Sequence, residues 1–144
     1  MFGFFKKKDS SPPRTSEAVI NLLETMGYTI TNDGIGMIAL ELASDYSAAE
    51  VASHIILVTI ALDVQESSVD NADLIKLMEI ASSSITVSKS LKFFVENKWM
   101  HPTQYQNDNA AIAGVSIVGP EQLSWVEKIL SDPMINGKRL AIRS

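Results

Sequence analysis

Apolar positions along this chain fall mostly at helical spacing. Val19, Ile20, Leu22, Leu23 and Met26 recur at intervals of three, four and seven, which predicts a helix from Ser16 to Met26 with one buried stripe. Thr15 or Ser16 supplies its cap, Glu17 suits the positive end of its dipole, and Gly27 is placed to stop it. Tyr28 to Thr31 reads as a short extended piece, and Asn32-Asp33-Gly34 as a turn or cap. Ile35 to Ala43 is apolar nearly all round except at Glu41, so that helix needs cover on most sides. Ser47 and Glu50 have the spacing of a capping box, opening a helix to about Val64. Another helix starts near Asp70, capped by Asp70 or Ser68, with Leu74, Leu77, Met78, Ala81 and Ile85 as its stripe; Ser82-Ser83-Ser84 predicts a break or bend.

Beyond it, Thr86 to Lys98 reads as a helix presenting Leu91, Phe94 and Val95. His101 to Asn109 is polar and turn-rich, hence a loop. Ala110 to Val118 is ambiguous: Val115, Ile117 and Val118 favour a strand, the alanines a helix. A helix opening with Pro120 at its first position buries Leu123, Val126, Ile129 and Leu130, and Asp132-Pro133 ends it. Arg139 to Arg143 alternates as an edge strand would. The expected fold is therefore mainly α, a compact domain of five or six helices over 15–144, with a small two-stranded β appendage near 112–118 and 139–143. Residues 1–14, with Pro12-Pro13, read as a flexible basic and aromatic tail.

Charge is sorted along the chain. Residues 1–14 carry net +3, residues 15–75 hold ten carboxylates and no Lys or Arg, and residues 76–144 carry net +2, giving the total of −5. An acidic chain argues against a nucleic-acid binder, because phosphate repels it and counterion release needs clustered bases. Cysteine is absent, which excludes disulfides, thiolate metal sites and a Cys nucleophile. The most apolar run, Val51 to Leu62, is 12 residues long and carries His54, against about 20 apolar residues for a membrane span, so it reads as a core helix. MFGFFKKK places its apolar patch before the charges, unlike a secretory signal.

No chemical motif rises above its structural explanation. Glu50 and His54 share a helix face at i, i+4, the seed of a metal site, but the other His, His101, lies in a remote loop, and Glu50 is already used in the cap. Glu66, Asp70 and Asp73 crowd a loop and helix start without the EF-hand pattern, and the helix dipole accounts for them. Asn32 to Gly36 lacks both GxGxxG and a P-loop, and Ser82-Ser83-Ser84 lacks a GxSxG context. No cofactor, metal or catalytic residue is therefore expected.

The sequence supports a non-enzymatic interaction or regulatory protein, cytoplasmic, whose acidic 15–75 segment engages a basic protein partner through Glu41, Asp45, Glu66, Asp70 and Asp73, with Trp99 as an aromatic contact. The opposing expectation is that this acidic stretch faces the basic 76–144 half within the same fold, through Lys76, Lys89, Lys92 and Lys98. The alternative function is a peripheral protein at the inner face of a membrane, tethered by Phe2, Phe4, Phe5, Lys6, Lys7 and Lys8. The apolar surfaces of the helices at 35–43 and 51–62 exceed what a chain this size readily covers, which points to a homodimer.

Overall fold

The computed structural model describes residues 14–66, 69–82, 87–115, 120–134 and 138–143, so the Phe/Lys tip lies outside the described residues. Seven helices are present among them: α1 (Ser16–Thr25), α2 (Asn32–Ala43), α3 (Ala48–Gln65), α4 (Asn71–Ser82), α5 (Val87–Glu96), α6 (Pro102–Val115) and α7 (Pro120–Ser131). Two short strands, β1 (Tyr28–Ile30) and β2 (Ala141–Arg143), pair antiparallel with Tyr28 opposite Arg143 and Ile30 opposite Ala141. The molecule is mainly helical with a small two-stranded sheet.

α3 is the axis of the fold. Only Ala49, Glu50, Asp63 and Gln65 of its residues escape full burial, and α1, α2, α4, α6, α7 and β2 all lie against it. By length and composition alone α3 could cross a membrane, yet 78% of it is buried inside the molecule. An all-round apolar helix needs such a jacket of neighbours. The capping box at its start is fully formed: Ser47 Oγ accepts from Glu50 N at 3.1 Å, and Glu50 Oε1 accepts from Ser47 N at 3.0 Å.

The other helix starts follow local chemistry too. Thr15 and Thr31 cap α1 and α2 through their hydroxyls, and Asp70 Oδ1 accepts from Asp73 N at 2.9 Å at the start of α4. Gly27 ends α1 at φ +91, a conformation that side chains other than glycine resist. Thr31 also ties the far end of the chain to the near end, since its N–H donates to Leu140 O at 3.0 Å and its hydroxyl reaches the Arg139 and Leu140 carbonyls. Gly34 sits where a methyl group would strike the Leu140 carbonyl and the Ile30 side chain, so glycine there lets the C-terminal segment pass across the start of α2.

Three details of the expected fold fail. The polar stretch from Pro102 to Asn109 is helical, not a loop, and it runs on as α6 to Val115, which removes Ile112–Val115 from any strand. The partner of β2 is instead β1, brought from the other end of the chain. The physical reason is that α6 does have a stripe, Asp108, Ala111, Ile112 and Val115, but one of its four buried members is a carboxylate. Hydrophobic periodicity does not register a helix whose buried face includes an Asp. The helix count is also seven rather than five or six, because α6 is added.

Candidate functional site

Two carboxylates lie in the interior, in different surroundings. Glu41 faces inward from α2 and is 4% exposed, so it is not on the acidic surface where the sequence placed it. Its Oε1 is 2.5 Å from His54 Nδ1 on α3, and its Oε2 accepts the indole N–H of Trp125 on α7. The imidazole stacks on the indole, with centroids 4.6 Å apart, and Tyr46 meets it edge-on at 4.8 Å. His54 therefore pairs with Glu41 rather than with Glu50, which serves the α3 cap. This is the carboxylate–imidazole half of a hydrolytic triad. The ring is completely buried, however, and its Nε2 has no hydrogen-bond partner among the described residues. Burial, then the charges of Glu41, Glu121 and Glu50, push the Tyr46 phenol above its ordinary range.

The second carboxylate, Asp108 on α6, is 1% exposed and forms the back of a cleft of about 370 Å³. The C-terminal end of α1 forms one wall through Thr25, Met26 and Gly27; α6 forms the other through Gln104, Asn107 and Ala111, and Tyr28 and Arg143 complete it. Tyr28 donates its hydroxyl hydrogen to Asp108 Oδ1, and Gln104 Nε2 donates to the same oxygen at 2.8 Å. Arg143 Nη2 lies 2.8 Å from Asp108 Oδ2, but off the direction of an aligned hydrogen bond. The register of the ribbon makes this possible: Tyr28 and Arg143 are cross-strand partners, both next to α6.

Arg143 lies between two carboxylates, since its Nη1 also lies 2.9 Å from Asp63 Oδ2, while its Nε has no hydrogen-bond partner among the described residues. Asp63 in turn holds Arg139 at 2.5 Å, and Arg139 reaches Glu66. Three carboxylates and two guanidiniums therefore form one chain of charges, net −1 when all are ionised. Burial raises the Asp108 carboxyl above its ordinary range; the Tyr28 hydrogen bond, the Arg143 charge and the Gln104 hydrogen bond pull the other way. Burial and the Asp108 charge raise the Tyr28 phenol strongly, so it remains a hydrogen-bond donor.

The cleft is lined by charges of both signs, Asp108 and Arg143. The C-terminus of α1 directs the negative end of its dipole at the mouth, and no basic residue occupies its last turn. Both hydrogen bonds to Asp108, from Tyr28 and Gln104, go to Oδ1, and Oδ2 carries only the ion pair with Arg143. The side-chain carbonyls of Gln104 and Asn107 add neutral acceptors, and the guanidinium that would attract an anion is spanned by Asp63 and Asp108.

The surface residues singled out in the sequence are scattered. Asp45 pairs with Arg14 at 3.4 Å, Glu66 pairs with Arg139, Asp70 serves as a helix cap, and Asp73 is exposed in the first turn of α4. The acidic stretch is thus met from within by Arg14, Arg139 and Arg143. Arg14, assigned to the tail, is fastened: it donates to the carbonyls of Leu42 at 2.6 Å and Tyr46 at 3.1 Å. Trp99 is half-buried against Phe93 and Phe94, with centroids 6.4 and 6.0 Å away. Among the described residues no group of three or more His, Asp or Glu side chains is arranged to hold a metal ion. Sequence reasoning missed Asp108, Tyr28, Gln104 and Arg143; the available signal was the helical spacing of Asp108 with Ala111, Ile112 and Val115. Set against family models, curated proteins and solved structures, the chain matches none of them.

Proposed function

We propose that the protein is a non-enzymatic interaction module that takes a basic side chain, Lys or Arg, of a partner protein into the cleft at Asp108. The observation that carries this reading is the buried Asp108 carboxylate at the back of an open cleft, beside the negative end of α1. An arriving cation gains more there than at a surface carboxylate, because the pair is largely desolvated and lightly screened. The exposed acids Glu17, Glu24 and Asp33 on α1 and α2 raise the local concentration of a basic partner before docking.

The test is titration of the ¹⁵N-labelled full chain with Nα-acetyl-arginine amide and with the neutral citrulline analogue. Saturable shifts at Gly27, Gln104 and Asn107 with the cation, at least tenfold weaker for citrulline and for Asp108→Asn, support the reading. Equal responses to both compounds, or none in the cleft at millimolar concentration, overturn it.

A further inference from the structure

A second cleft, of about 460 Å³, lies where the end of α5 turns into α6, and it shares no lining residue with the cleft at Asp108. Val95, Lys98, Trp99, Met100, His101 and Pro102 line it. Its shape follows from how α5 stops. Lys98 N–H donates to Val95 O and Trp99 N–H to Phe94 O, both at 2.9 Å, the paired bonds of a Schellman ending. Such an ending packs the residue after the left-handed position against the last turn of the helix. Here that residue is Trp99, half-buried with its ring centroid 6.0 Å from that of Phe94.

The polar lining is one-sided. Lys98 is exposed, and its ammonium has no carboxylate partner among the described residues. His101 Nδ1 accepts from Thr103 N at 3.2 Å, which places the ring proton on Nε2. The Trp99 indole N–H makes no hydrogen bond among the described residues. All three side chains have a donor to give, and none has an acceptor left. The α5 carbonyls of Phe93, Phe94 and Val95 are taken by the N–H groups of Asn97, Trp99 and Lys98, so they do not supply the missing acceptor. Nor does the turn itself call for the cation: Lys98 has φ +64, where glycine is the least strained residue. Val95, Met100 and Pro102 make the rest of the lining apolar.

We infer that this cleft binds a small aromatic carboxylate. The ring of the ligand lies against Trp99, Met100 and Pro102, and its ionised carboxyl meets the Lys98 ammonium and the His101 Nε2–H. Donors beside an apolar floor suit an anion carried on a ring. A bare inorganic anion would leave the floor uncovered, and a neutral ring would leave the donors without an acceptor.

Titration of the ¹⁵N-labelled full chain with phenylacetate, phenylacetamide and acetate tests this. Phenylacetate is expected to give saturable shifts at the Trp99 indole N–H and at the Lys98 and His101 amides, with the interior Trp125 indole as the unmoved reference. Binding should be about tenfold weaker for phenylacetamide, which lacks the charge, for acetate, which lacks the ring, and for phenylacetate with Lys98→Gln. Lys98→Gln should melt with the parent, because the Lys98 side chain is exposed. Equal affinity for phenylacetate and either control, unchanged binding by Lys98→Gln, or no saturable shift at Trp99 at millimolar concentration overturns the inference.

Discussion

Glu41 and Asp108 are both enclosed carboxylates held by aromatic donors, yet their surroundings differ in kind. Three rings, those of Tyr46, His54 and Trp125, close around the Glu41 cluster, which joins α2, α3 and α7 in the middle of the molecule. Asp108 is held by Tyr28, Gln104 and Arg143 and is as deeply buried as Glu41, but it belongs to the lining of a cleft. Burial of a charge by itself therefore says little about role. The Glu41 cluster fastens helices together in the middle of the molecule; the Asp108 cluster lies along the wall of a cleft.

The largest effect that separates the two belongs to the sealed cluster. Glu41→Leu leaves the imidazole and the indole N–H unpaired in the interior, and breaking a buried charged network costs on the order of 3–5 kcal/mol. Urea unfolding should show this loss, with arginine-amide binding by the remaining folded protein unchanged. A loss below about 1 kcal/mol would show that the cluster does not fasten the helices.

Next in size is the response of the cleft to acid. The folded Asp108 carboxyl is raised above its ordinary value, so on acidification it takes up its proton earlier than a surface carboxylate does. Cation affinity is full above that raised value and falls as pH drops through it. Isothermal titration at decreasing pH should show this loss setting in at a higher pH than protonation of a surface carboxylate would give. The same raised value means that the folded state binds this proton more tightly than the unfolded chain, so ionising Asp108 subtracts from stability as pH rises towards neutrality. An affinity flat from pH 7 to 4 would remove Asp108 from the site.

The smallest effect is that of Tyr28→Phe. It deletes one hydrogen bond to a charged acceptor, worth about 1.5 kcal/mol, as measured by thermal or urea unfolding at pH 7. The phenol is raised above its ordinary value of 10.0, so the stability that it contributes is present below that pH and is lost as pH rises above it. The Phe variant should lack this alkaline slope. An identical alkaline slope in both proteins would assign the slope to other groups.

Much of the fold could be read from local pattern. The capping box of Ser47 and Glu50, the stop at Gly27, the start at Pro120 and the caps at Thr15 and Asp70 all lie where sequence chemistry puts them. Each depends on residues within a few positions of one another, and local backbone demands leave local signatures. The site was not legible in this way. Tyr28 and Asp108 are 80 residues apart, and Arg139 and Asp63 are 76 apart. No spacing rule connects such pairs; they meet because β2 returns to pair with β1.

The sequence by itself determined that the chain is a mainly helical, acidic domain with a long apolar central helix, because period and composition are properties of neighbouring residues. Only the tertiary structure decided that α6 is a helix, that Glu41 is interior, and that Asp108 lines a cleft. Whether a carboxylate is sealed, paired or available depends on which distant elements close around it, and that is settled when the helices assemble around α3.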